Sequence, residues 1–187
     1  MNYTHPKRKT KVVFVQLGSP SEPTTKALRK YLRKFLGDPR VVDINPWLWK
    51  IILNFFVLPF RPRKSAKLYA RIWDGKSFPL ITNTRDFTNN VSEELKKIDP
   101  EGYVEVNHAF LLSPPYVNEV YDSWEEDLKK GIGATKLLVI PMFPQYSEST
   151  IASGIDALAK EISKRVKIPT FEVITNFHRT HAFIDNS

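Results

Sequence analysis

The 187-residue chain contains no cysteine. That excludes disulfides, zinc–thiolate sites, iron–sulfur clusters and thiol nucleophiles, and it agrees with a cytoplasmic chain. Neither a GxGxxG nor a GxxxxGK[ST] run occurs, so nucleotide binding through a glycine-rich cradle is disfavoured. The opening "MNYTHPKRKTKVVFVQLG" is basic, and its apolar part is short and interrupted by Gln16, unlike a secretory signal or a membrane span. Internal repeats and low-complexity linkers are also missing. What is present suits one globular domain: 42% hydrophobic and 26% charged residues, with a net charge of +8. The positive balance points to anionic partners such as acidic small molecules or lipid head groups. Nucleic acid, the other partner class the charge suggests, is not expected, because no recognisable module or interleaved aromatic-basic stripe is found.

Apolar periodicity divides the chain into a basic tail (1–10) and a single domain (11–187). "KVVFVQLGSP" (11–20) is a continuous β-branched run ended by Gly and Pro, as in a buried parallel strand. Leu28, Leu32, Phe35 and Leu36 share one face of a helix that stops at Gly37. A helix is expected from Pro46 to Leu58, another carries Ala66, Tyr69 and Trp73, and a third covers "RDFTNNVSEELKKID". "YVEVNHAFLL" (103–112) reads as the second strand and "TKLLVIPMF" as the third. Between them, Val117, Val120, Tyr121, Trp124 and Leu128 make an amphipathic helix. Ile151, Ile155, Leu158, Ala159 and Ile162 mark the last helix before a fourth strand in "TFEVITNF".

This alternation predicts an α/β domain, a doubly wound four-stranded parallel sheet flanked by helices. Such sheets bind ligands beyond the carboxyl ends of the strands, where the strand order reverses. With strand 1 central, the crevice faces Leu17, Gly18, Ser19 and Pro20 on one side and "PMFPQYSEST" on the other. Gln145, Tyr146, Ser147, Ser149 and Thr150 gather hydroxyls and an amide at a helix N-terminus. They either cap that helix or form a ligand edge. Glu148 is the one carboxylate expected at the crevice, with Asp156 further down the helix.

"VQLGSP", "LRKYLRKFLGDPRVVDI", "LPFRPRKSAKLYARIW", "SFPLI" and above all "IPMFPQYSEST" resemble the ferrochelatases, in that family's order and spacing from Val12 to about Phe183. These enzymes insert ferrous iron into protoporphyrin IX. The resemblance implies a chelatase-like fold equivalent to the N-terminal half of a ferrochelatase. Arg61, Lys64, Tyr69 and Ser77 fall where the family contacts porphyrin propionates, and Leu17 falls over the macrocycle face. The apolar stretch holding Trp47, Trp49, Ile52, Phe55 and Phe56 corresponds to a lip over the porphyrin pocket. At about twelve residues it is too short for a transmembrane helix, and its polar positions are only Lys50 and Asn54. A core helix, a dimer contact and a surface that meets the inner membrane peripherally remain alternative placements, the last helped by Arg61, Arg63 and Lys64.

Three departures from the family bear on chemistry. Phe110 and Leu111 stand where the family commonly has Arg-Tyr. Phe143 replaces a tyrosine. The chain ends at "NFHRTHAFIDNS", where the family continues into a half that carries the histidine and acid used to remove pyrrole protons and handle iron. Of the four histidines, His5 is expected in the tail, His108 within strand 2, and His178 and His181 after strand 4, without enough neighbours for a metal site. The expectation is a truncated ferrochelatase-like protein with no catalytic residue, resident metal or cofactor of its own. Porphyrin or haem is the candidate ligand and a homodimer the expected assembly. The alternative is an active ferrochelatase, either as a homodimer or as part of a longer chain. Small homodimeric chelatases resemble the segment "VEVNHAFLLSPPYVNEV", but they place a histidine where this chain has Gln16 and Leu17.

Overall fold

The structure, a computed structural model, describes residues 9–180 and residue 185. Four parallel strands form one sheet in the order β2-β1-β3-β4: β1 Thr10–Gln16, β2 Val104–Phe110, β3 Lys136–Pro141 and β4 Thr170–Val173. The expected central position of β1 is therefore found. Its register sets Gln16 opposite Phe110 and Val15 opposite both Ala109 and Pro141. Thr10, read from sequence as tail, already belongs to β1, while residues 1–8 lie outside the described residues.

Helices cover the two faces because the sheet is apolar on both. Val13, Val15, Ala109, Leu137 and Val139 point to one face, where α5 (Val117–Lys129) and α6 (Ser153–Ile162) close a core around Leu158. On the opposite face α4 (Pro79–Ile98) packs over β1 and β2, with Phe87 edge-on to Phe14 at 5.1 Å between ring centres. This helix begins earlier than the sequence pattern indicates, at Pro79, whose fixed φ and missing N–H suit a first helical position.

A second core joins α1 (Thr25–Leu36) to the apolar stretch. Thr24 caps α1 by accepting a hydrogen bond from the Ala27 amide, and Tyr31, Leu32 and Leu36 pack against Leu53 and Leu58. The expected single helix from Pro46 to Leu58 is divided: α2 runs Pro46–Ile52, and Leu53–Val57 form a wider π turn. Leu53 and Leu58, 4% and 2% exposed, both face inward. Their five-residue spacing suits the i→i+5 bond from the Leu58 amide to the Leu53 carbonyl better than an α turn. Similarly, α3 (Arg61–Tyr69) gives way to a 3₁₀ turn at Ala70–Ile72, so Trp73 lies outside the helix in extended backbone. Among the described residues no helix is long and apolar enough to cross a membrane.

Candidate functional site

The loops leaving β1 and β2 at their carboxyl ends separate two clefts. Gly18, at φ +91°, occupies the left-handed region, and an added Cβ would collide with the Ser113 Oγ. Only glycine fits both demands. The turn is tied down by the Leu112 amide donating to the Leu17 carbonyl and the Ser19 amide donating to Ser113 Oγ. As a result Leu17 faces one cleft, whereas Ser19 and Pro20 face the other.

The first cleft, about 290 Å³, has an apolar floor of Leu17, Phe35, Phe110, Leu111 and Val117. Its far wall is a helical stripe: Ser149, Ser153, Asp156, Lys160 and Lys164 recur at spacings of three or four. The sequence reading placed Glu148 alone at the crevice, and this is corrected. Glu148 is exposed, whereas Asp38, Asp156 and Glu161 line the cleft. The periodic stripe was the available signal. Two of these acids stand in ion pairs. Arg40 binds Asp156 through two hydrogen bonds, 2.6 and 3.1 Å, across the cleft mouth, and its amide donates to Asp38. Glu161 pairs with Lys164 at 2.7 Å. The Arg40 hydrogen bonds hold the Asp156 carboxyl below its ordinary range, with the Arg40 and Lys160 charges adding to the effect.

The hydroxyl cluster is only partly at this cleft. Ser149 lines it, but Gln145 and Tyr146 are exposed, and Ser147 and Thr150 line neither cleft. Helix capping by side chains is also not what happens. The Ser147 and Ser149 hydroxyls bond each other at 3.1 Å, and it is the Ser147 carbonyl that accepts from the Ile151 and Ala152 amides.

The apolar stretch splits into two faces. Trp47, Phe55 and Phe56 are 74%, 70% and 67% exposed. Trp49 turns inward: its indole N–H donates to the Leu36 carbonyl at 2.6 Å, anchoring the stretch to α1. Ile52 is half-buried. Arg61 and Lys64 stand exposed on the first turn of α3, directly after this stretch, and line neither cleft. Tyr69 belongs to an aromatic chain linking Tyr31, Tyr69, Phe78 and Trp73. Burial, then neighbouring Tyr69, raises the Tyr31 phenol well above the usual tyrosine range, so its hydroxyl stays protonated and donates to the Gly18 carbonyl. Ser77 faces the second cleft.

His108 sits in β2 with its ring edge-on to Phe110, and lines neither cleft. Burial first, and Arg85 second, lower its pKa. His178 follows β4, where its amide donates to the Pro144 carbonyl and its buried Nδ1 has no partner among the described residues. His5 and His181 lie outside those residues, among which no group of three His, Asp or Glu side chains forms a metal site.

This fold and these loops agree with comparisons to known proteins. A family model described as Ferrochelatase matches residues 9–187. A ferrochelatase of Idiomarina loihiensis is 41% identical over 93% of this chain and 46% of its own length. For a ferrochelatase of Marinobacter nauticus the values are 38%, 93% and 45%. A coproporphyrin III ferrochelatase of Streptococcus mutans is 37% identical over 95% of this chain and 53% of its own length. The chain thus spans about half the length of these curated relatives, and over that half it belongs to the ferrochelatase family.

Proposed function

We propose that this chain provides the porphyrin-holding part of a ferrochelatase-type site within haem biosynthesis, and that alone it binds a porphyrin or haem without inserting iron. The observation carrying this reading is the lip: Trp47, Phe55 and Phe56 point to solvent immediately before Arg61 and Lys64. A porphyrin is a flat apolar disc edged with carboxylates, and an exposed apolar row next to fixed cations complements both parts. Iron insertion additionally needs a base that takes two pyrrole protons. Of the acids lining the first cleft Asp156 and Glu161 are held in ion pairs and Asp38 accepts a backbone amide, Phe110 and Leu111 offer only hydrocarbon, and His108 lines neither cleft. A regulatory or scaffold role follows from this reading. The same exposed row is where two copies would pair, or where the chain would rest on a membrane surface near Arg63 and Lys64.

A second reading draws on the half-length match: the chain is active once another half completes the site. Two measurements separate these. Titration with protoporphyrin IX, followed by quenching of tryptophan emission, is expected to saturate and to weaken in an Arg61→Ala/Lys64→Ala variant. Purified chain given protoporphyrin and ferrous iron or zinc is expected to produce no metalloporphyrin, and robust turnover would favour the second reading.

A further inference from the structure

The outer strands of the sheet are β2 and β4, and the edge along β2 is bounded at both ends. Its parallel register with β1 turns the backbone groups of Glu105, Asn107 and Ala109 inward, which leaves those of the even-numbered residues pointing out. At either end the outward amide is already taken. Val104 donates to the Asp99 carboxylate at 2.7 Å, and Phe110 donates to the Pro115 carbonyl at 2.7 Å. Between them the outward N–H and C=O groups of Val106 and His108 have no partner among the described residues. An unpaired edge is a template for another strand, and these closed ends limit the addition to about five residues.

Each face of this edge carries a hollow. Toward α5, Lys11, Asn107, Pro115, Glu119, Val120 and Ser123 line about 250 Å³. Toward α4, Leu95, Val104 and Val106 give an apolar lining to about 300 Å³, shared with Ser92, Lys96 and Asp99. Successive side chains of an added strand alternate between the faces, so one set meets each hollow. The two differ in charge. Lys11, 2% exposed, is the one cation lining the α5 hollow, and it is bonded to Glu105 at 2.8 Å and to Asp127 at 3.4 Å. With Glu119 this makes three carboxylates against one ammonium, an acidic spot on a chain whose net charge is +8. In the α4 hollow Lys96 is paired with Glu93 at 2.7 Å and the Asp99 carboxylate is occupied by the Val104 amide, so hydrocarbon is what it offers a guest. A strand that alternates a cation with an aliphatic residue matches both faces. A second copy does not, because pairing two β2 edges about Asn107 sets the acids of one α5 face against those of the other.

We propose that the β2 edge docks a basic, extended segment of a partner protein, which pairs with Val106 and His108 and sends Lys or Arg toward α5 and Val or Ile toward α4. The two hollows share no lining residue with the clefts at the carboxyl edge, so this surface is independent of the porphyrin reading. The probe is a fluorescein-labelled heptapeptide, Thr-Lys-Val-Lys-Val-Lys-Thr, titrated with the full chain and read by fluorescence anisotropy. Saturable one-to-one binding is expected, weaker by about tenfold or more when glutamates replace the lysines. An Asn107→Lys variant with an unchanged circular dichroism spectrum is expected to lose a similar factor, since a cation then stands in the acidic hollow. N-methylation of the valine amides abolishes binding if the peptide runs antiparallel to β2, and N-methylation of the lysine amides does so if it runs parallel. On peptide addition the Val106 and His108 amides are expected to slow in hydrogen exchange, while those of Val104 and Phe110, already bonded, stay as they were. Absence of saturable binding, equal binding of the glutamate peptide, indifference to both methylations, or binding without slowed exchange at Val106 and His108 overturns the proposal. Slowing of those two amides with rising chain concentration and no peptide would give the edge to a second copy and overturn the occupant named here.

Discussion

Single residues decide which side of the sheet's carboxyl edge is open to what. Arg40 and Asp156 are 116 positions apart, yet their paired hydrogen bonds strap the loop after α1 to α6 over the first cleft. Both groups are well exposed, so the strap is a weak closure in energetic terms. Its titration is nevertheless measurable. The folded Asp156 carboxyl is depressed relative to the unfolded chain, so its contribution is complete above the ordinary carboxylate value and fades as pH falls through the lower folded value. In a carbon-detected NMR titration, Arg40→Ala is expected to move the Asp156 midpoint up toward the ordinary aspartate range. An unmoved midpoint would mean that Arg40 is not what holds it.

At the scale of elements, the lip shows why one aromatic residue is structural and its near neighbour is not. Trp47 and Trp49 are indistinguishable in composition and nearly so in position, and sequence reasoning grouped both with a ligand-facing surface. The two-residue offset rotates them to different sides of α2, and only Trp49 reaches an orphan carbonyl at the end of α1. Trp49→Ala is expected to cost about 2–4 kcal/mol in urea unfolding, through lost packing and an unpaired Leu36 carbonyl. Trp47→Ala is expected to change stability by less than about 0.5 kcal/mol. Equal effects would remove the distinction between anchor and exposed row. The π turn was not legible either. It depends on two leucines five residues apart both having to enter a core whose shape α1 supplies.

Across the whole molecule, the strand order could be read because β-branched runs alternating with amphipathic helices leave few topologies for a parallel sheet. A cleft does open beyond the carboxyl edge of the sheet, but of the residues expected to face it only Leu17 and Ser149 line it. Its polar wall was misjudged because helix periodicity was followed only for apolar positions, while Ser153, Asp156 and Lys160 repeat just as regularly. Of the second cleft, sequence reasoning reached only Ser19, Pro20 and Ser77, and not its lysines or Trp73. Lys30 and Lys34 resemble the solvated face of any surface helix until the loop carrying Trp73 and Lys76 folds against them. The exposed lip also makes a prediction about assembly: apolar surface of this kind usually marks an interface. Sedimentation velocity is expected to show association that grows with concentration and disappears in Phe55→Ser/Phe56→Ser. A wild-type chain that sediments as a monomer at every concentration would rule out pairing through this row.

The turn after β1 has a mechanical corollary. Leu17 and Ser19 are neighbours of a glycine that cannot be replaced without a collision, yet they look into different chambers. Any guest that pushes on one side therefore leans on a post common to both, and Tyr116, with Lys34 resting on it, is the thin partition beside that post. A shift of that post would reshape both chambers together.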